Sequence, residues 1–348
     1  MAKLGILSIA PSLEEMVSLA RDAEQAGFDS VWTGEYFSRN AFTTLAAMAS
    51  AAPRITLGAG IAYAFVRSPV QLAMAAADVD ELSGGRLILG LATGTRAQNE
   101  QWYGVPFQRP GPRLRETVEI ARSLWAHGGG PFRYEGEFYK LAIPNFVRHR
   151  QARARIPIHL GVVSPYMLRL TGQVADGLLG HPTYTRRYYR EVVLPCLERG
   201  LQRAGRTRDD LRIALEVVTV IHRDGRQARK DASVWLAFYY VARAFHAILE
   251  FHGWDSERDA IVGAFRSLNR EAMAAAISDR MWSEVLALVG TPEEVRAQWE
   301  DISGLADHII LLAPAPYGGL PFERYRDNYR QIFELFGRVG EAASRLGP

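Results

Sequence analysis

Three segments in the first hundred residues finish alike, and their last residues are the ones that could do chemistry. Asp29-Ser30-Val31-Trp32-Thr33-Gly34-Glu35-Tyr36, Arg54-Ile55-Thr56-Leu57-Gly58-Ala59-Gly60-Ile61 and Arg86-Leu87-Ile88-Leu89-Gly90-Leu91-Ala92-Thr93-Gly94-Thr95 are apolar runs that give way to glycine, threonine or an acid. Glycine lets backbone approach a flat or anionic ligand, and threonine adds a hydroxyl without bulk. In a parallel sheet wound with helices, all three endings fall on one side, where loops gather round a ligand. The pattern points to a cofactor site.

The elements that must position these endings follow a strand–helix rhythm of about 30 residues. Leu4–Ile9 is predicted as the first strand; Ser12 then caps a helix with Glu14 and Glu15 in its first turn, and Gly27 ends it. Further strands are expected at Ser30–Thr33, Ile55–Ala59, after Gly84-Gly85, and at Ile156–Leu160, Gly177–Leu179, Leu211–Ile221 and His308–Leu312. Helices are expected over Thr43–Ala52, Val70–Leu82, Arg113–His127, from Ser164-Pro165, over Tyr188–Ala204, from Thr291-Pro292 and over Phe322–Phe336. Phe132–Leu141 alternates like a small hairpin around Glu135-Gly136-Glu137. Residues 226–288 are expected to be a helical insertion, with an aromatic stretch over 235–251 that would be core packing or a lid over an apolar pocket. Eight strands alternating with helices, and no linker, predict an α/β chain forming one (β/α)8 TIM barrel over residues 1–348, with insertions near 100–150 and 226–288.

Composition narrows the function. A chain of 348 residues with 48% hydrophobic content can fill such a core. No apolar run reaches membrane-spanning length and the N-terminus has no signal-peptide pattern, so a cytoplasmic protein is expected. Cys196 is the single cysteine, and His246 and His252 lie six apart, so neither a disulfide nor a metal site is expected. Only Lys3, Lys140 and Lys230 are lysine among 41 basic residues, and 38 acids nearly balance them along the chain. That spread speaks against a nucleic-acid face. One basic cluster, Arg148, His149, Arg150, Arg153 and Arg155, is either a solvated loop or a grip on an anionic tail.

An ordered set of short motifs carries a family resemblance over most of the chain. Ala26-Gly27-Phe28-Asp29 precedes a Trp-bearing strand, and Ser38-Arg39-Asn40 precedes an Ala-rich helix. Leu57-Gly58-Ala59-Gly60-Ile61, Asp80-Glu81-Leu82-Ser83-Gly84-Gly85-Arg86, Tyr134-Glu135-Gly136-Glu137, Ile156-Pro157-Ile158 and Ala175-Asp176-Gly177 follow in order. The chain resembles the luciferase-like superfamily, nearest the branch that uses coenzyme F420, such as methylenetetrahydromethanopterin reductase. The resemblance implies a luciferase-like barrel with a deazaflavin or flavin ring at the C-terminal strand ends.

By that resemblance, Ala59-Gly60-Ile61 matches the place of a non-proline cis peptide that backs the ring. Thr93, Gly94 and Thr95 match the border of the ring and its ribityl chain, with helix capping as the plainer reading. Gly161, Val162, Val163 and Ser164 match a phosphate site at a helix head, where exposed amides would hold an anion. Many relatives carry a polar Asp-His pair after the second strand; here Gly34-Glu35 stands instead. Glu35 is thus the candidate proton donor or acceptor, unless it pairs with an arginine such as Arg39. Tyr36 and His181 are expected to touch substrate or cofactor. The implied activity is hydride transfer between coenzyme F420 and a small organic molecule. FMN with oxygen, and a partner flavin reductase, is the alternative. The Ala-rich helices at 43–52 and 70–77 suggest a homodimer. A non-catalytic flavin-storage protein remains a further possibility, while a sugar-phosphate lyase would need a strand-end lysine that the chain lacks.

Overall fold

Eight parallel strands close into a barrel: β1 (Lys3–Ser8), β2 (Ser30–Thr33), β3 (Thr56–Ala59), β4 (Leu87–Ala92), β5 (Ile158–Val162), β6 (Gly177–Gly180), β7 (Arg212–Ile221) and β8 (His308–Leu312). The computed structural model describes residues 2–314 and 321–337. Each strand pairs with the next, and β8 pairs with β1 to complete the ring. The strand positions expected from the periodicity hold to within a few residues.

Both faces of each strand are buried, which is why the runs are continuously apolar. In β7, Leu215 and Val217 face the outer helices, while Ala214 and Val218 join an inner cluster with Leu7, Trp32, Leu179 and Ile310. Gly58 explains itself here: a Cβ at that position would lie 2.0 Å from the Trp32 ring, which fills the barrel interior. Trp32 packs against His159 and His308, with ring centroids 6.4 and 5.9 Å away, and Ser30 Oγ bridges Trp32 Nε1 and His308 Nε2. Burial drives both histidines down to about 4, so they are neutral core residues.

The arginine cluster lies at the N-terminal end of the barrel strands. Arg153 binds Asp80 and the Leu87 carbonyl at the start of β4, and Arg148 binds Asp78 and Glu81, both at 3.0 Å. Arg155 and Arg122 hold Asp176, whose carboxylate also accepts from Ile158 N–H at the start of β5. The anionic-tail reading is therefore corrected: these arginines brace the N-terminal rim.

Residues 225–282 form helices Gly225–Tyr240, His246–His252, Asp255–Arg266, Arg270–Ala275 and Asp279–Trp282. The expected helical insertion stops short, because Ala287–Gly290 is a strand that pairs with Val218–Ile221 of β7. That four-residue apolar run extends the sheet instead of another helix. The hairpin is longer than the alternation indicated, joining Gly130–Glu135 to Lys140–Phe146. The last helix, Phe322–Phe336, clasps the C-terminal strand ends: Asn328 bonds Ile221 N–H and the Thr219 carbonyl, and Tyr329 bonds the Leu7 carbonyl. Among the described residues, no single helix is long and apolar enough to cross a membrane.

Candidate active site

The C-terminal strand ends meet around Gly60 and Ile61. The peptide between them is cis, and the chain then runs as a two-residue strand, Ala62–Tyr63, alongside Leu91–Ala92 of β4. Gly60 N–H bonds the Thr33 carbonyl at 2.9 Å, and Glu35 N–H bonds the Ile61 carbonyl at 2.8 Å, so β2 holds this turn from both sides. Small residues make the crossing possible. A Cβ on Gly34 would stand 2.9 Å from the Gly60 oxygen, and one on Gly161 would stand 2.9 Å from Ile61 Cγ2 and 3.5 Å from Ala92 Cβ. The structure thus brings Ala59, Gly60, Ile61 and Gly161 together.

The end of β5 is fixed from the other side. The Val162 carbonyl accepts from Tyr184 Oη and the Val163 carbonyl from Tyr188 Oη. Ser164 caps helix Pro165–Val174, its Oγ accepting from Met167 N–H at 3.5 Å. Ser164 thus serves as the helix cap, and the positive end of a ten-residue helix lies beside Val163.

The loop after β4 is a closed network. Asn99 Nδ2 donates to the Thr93 and Thr95 carbonyls, Gln98 Oε1 accepts from Thr95 N–H, and Gln98 Nε2 donates to Tyr63 Oη at 3.0 Å. Gly94 takes a positive φ of 66°, which glycine adopts without strain. Thr95 Oγ1 accepts from Gln98 N–H, so capping is present here too.

Glu35 does pair with an arginine, but with Arg67 and not Arg39. Arg67 grips both carboxylate oxygens, and Tyr63 N–H adds a third bond at 3.0 Å. The pair is nearly sealed, with side-chain exposures of 15% for Arg67 and 4% for Glu35. Arg39 instead donates to the Ala10 and Pro11 carbonyls. Glu35 is therefore a fixed anion that braces the loop after β3. Tyr36 pairs its backbone with Arg39 and packs its ring against Phe37 and Trp102, at 4.5 and 5.4 Å. His181 joins Thr183 through Nδ1 and lies against the rings of Tyr239 and Phe245. Burial pushes its imidazole down to about 3. The aromatic stretch of the insertion accordingly roofs the end of β6.

Glu216 escaped the sequence reading, and Trp235 entered it only as part of the aromatic stretch over 235–251. Glu216 sits in β7 on the inward face it shares with Ala214 and Val218. Its Oε1 is buried without a hydrogen-bond partner, and a Cβ on Gly60 would come within 3.0 Å of that oxygen. Burial pushes the carboxyl up to about 8. Trp235, from the first helix of the insertion, has a buried Nε1 that is equally unpartnered. The inward face of β7 was the one signal that could have marked Glu216.

The likenesses to known proteins agree with this architecture. The family model for luciferase-like monooxygenases matches residues 3–308. A 5,10-methylenetetrahydromethanopterin reductase of Archaeoglobus fulgidus is 31% identical over 312 residues, covering 88% of this chain and 90% of its own length. The solved coenzyme F420 dependent tetrahydromethanopterin reductase of Methanopyrus kandleri superposes with a TM-score of 0.80 at 25% identity, over 97% of both chains. The monooxygenase RslO1 of Streptomyces bottropensis superposes with a TM-score of 0.69, also at 25% identity, over 98% of this chain and 99% of its own. The chain belongs to the luciferase-like monooxygenase family.

Proposed function

We propose that the protein is an oxidoreductase that binds coenzyme F420 at the rim of β2–β5 and transfers hydride between it and a small organic substrate. The observation that carries this reading is the half-buried corner at Gly60 and Ile61, which β2 holds through backbone bonds and which Gly34 and Gly161 approach closely because they carry no side chains. A flat tricycle needs such a bed, and these residues fit one. Ile61 and Gly161 would hold the ring, and Thr93 and the amides ahead of Pro165 would meet the polar chain and its phosphate; Val162, expected at the cofactor, instead packs into the outer core. When bound, the deazaflavin supplies a hydride donor or acceptor; the protein orients it and shields it from water. The solved coenzyme F420 dependent reductase among the relatives supports the deazaflavin, and the monooxygenase RslO1 supports a monooxygenase, with FMN, as the second reading.

Anaerobic titration of the purified protein with each cofactor, followed by visible absorption, tests the choice. Tighter binding of F420 is expected, with at least a tenfold preference. A reversed preference, with oxygen consumed when reduced FMN is added, would favour the monooxygenase. Gly161→Val places methyl groups in the path of Ile61 and is expected to weaken F420 binding more than tenfold at unchanged far-ultraviolet circular dichroism. Unaltered affinity in that variant would remove the platform from the site.

A further inference from the structure

A small cavity beneath the roof contains two polar atoms that the protein itself leaves unsatisfied. Glu216 and Trp235 both line a space of about 50 Å³, walled otherwise by apolar groups including Leu7, Ile9, Gly60 and Leu312. Oε1 of the first and Nε1 of the second are buried without partners. Leaving such atoms unpaired costs stability, and two of them in one apolar space complement a ligand carrying one oxygen. The indole N–H can only donate, and a neutral carboxyl can donate as well. A carbonyl oxygen, with two lone pairs, answers both.

Charge narrows the class further. Among the described residues, no lysine, arginine or histidine lines the cavity, and Tyr239 is the other titratable group on its walls. Tyr184, from the loop after β6, also feels Glu216. A phosphate or carboxylate would find no counter-charge there. Gly60 borders this cavity and directly precedes Ile61, and a Cβ on Gly60 would lie 3.0 Å from Glu216 Oε1, so the acid stands next to the proposed platform.

Resting on the assignment of a hydride-transferring cofactor to the rim, we infer that Glu216 is the general acid of the site, and that Glu216 and Trp235 together seat the oxygen of a small, uncharged carbonyl substrate. In the reduction, the carbonyl carbon gains a hydride, with both electrons, from the reduced deazaflavin. The C=O π pair moves onto oxygen, and that oxygen takes the Glu216 proton. The products are the alcohol and the oxidised cofactor; the proton left on the cofactor ring after hydride loss goes to solvent while the Glu216 carboxylate takes one from solvent, so that ketone plus reduced cofactor sums to alcohol plus oxidised cofactor. Burial holds Glu216 at about 8, so the protonated form that this step needs prevails at neutral pH.

Three measurements test the assignment, with acetone as the probe ketone. Infrared difference spectra of the cofactor-free protein, wild type minus Glu216→Gln, are expected to show a protonated carboxyl at pH 7 that disappears with a midpoint near 8. A carboxylate band alone at pH 7 would overturn the proposal. Saturation-transfer NMR on the same cofactor-free protein is expected to detect acetone binding, weakened about tenfold in Glu216→Ala and in Trp235→Phe. Equal binding by all three proteins, or none by the wild type, would also overturn it. With reduced F420 present, Glu216→Gln is expected to lower kcat for acetone about a hundredfold, within the usual range for a general acid, while the F420 dissociation constant stays within about twofold. Undiminished turnover defeats the role of Glu216 alone. Failure of the wild type to bind either cofactor defeats the reading beneath it.

Discussion

Arg67→Met is expected to destabilise the protein by about 3–5 kcal/mol at pH 7, the usual cost of removing one partner from a buried ion pair. Glu35 would keep only the Tyr63 N–H, inside a site where its side chain is 4% exposed. The guanidinium also lies 5.1 Å from the Phe42 ring centroid, a contact that methionine replaces only in part. Adding Glu35→Gln removes the stranded charge, so the double variant should recover more than half of the loss. Arg39→Ala is the control. Arg39 bonds two backbone carbonyls and not Glu35, and its loss should cost about 1 kcal/mol. Urea unfolding at pH 7 reads all three. A loss below about 1 kcal/mol in Arg67→Met would show that the pair is not what fixes this loop. Because Glu35 N–H also bonds the Ile61 carbonyl, the same variant should weaken cofactor binding.

The second large effect is the pH dependence of stability. His159 and His308 are held at about 4, and His181 at about 3, all by burial, against 6.5 in the unfolded chain. Between about pH 6.5 and 4 the unfolded state binds protons that the folded state refuses, so stability falls as pH falls. Each of the two core histidines removes on the order of 3 kcal/mol by pH 4. Glu216 works in the other direction. Its folded value of about 8 lies above the 4.5 of the unfolded chain, so its contribution is present at low pH and is lost as pH rises towards 8. Stability should therefore peak near pH 6.5. Glu216→Gln should steepen the acid limb and flatten the alkaline one. Asp176 and Asp307 have lowered values and lose their contribution mainly below the range of ordinary carboxylates, which leaves the interval above pH 4.5 to the histidines and Glu216. Chemical denaturation across pH 4.5–8 measures this, and a flat profile would refute it.

How far the sequence reaches is visible in particular residues. Strand ends were legible because glycine and threonine interrupt apolar runs at the same phase of a repeating unit. The cis junction at Gly60 and Ile61 lies where the family resemblance placed it. Glu35 stood out as a lone acid at a strand end, but its partner Arg67 is 32 positions away in a chain crowded with arginines, so its ion pair was not legible. Glu216 was hidden more completely. In Leu215-Glu216-Val217 a single acid looks like the solvent side of a strand, yet both faces of a barrel strand are covered. Only the closed ring shows that this face looks inward. The arginines at 148–155 illustrate the converse, since charge density alone does not reveal which end of the barrel a loop serves.

β7 spans ten residues where the other barrel strands have four to six. Its first part seals the ring and carries Glu216, while Val218–Ile221 anchors Ala287–Gly290 and with it the helical roof. The proposed bed lies wholly in the first half of the polypeptide, whereas the chamber draws Pro182, Glu216, Trp235, Tyr239, Leu312 and Ala313 from the second and shares Leu7, Ile9 and Gly60 with the first. Changes confined to the roof can thus reshape the chamber while Gly60 stays common to both, an inheritance that gives one scaffold room for many chemistries.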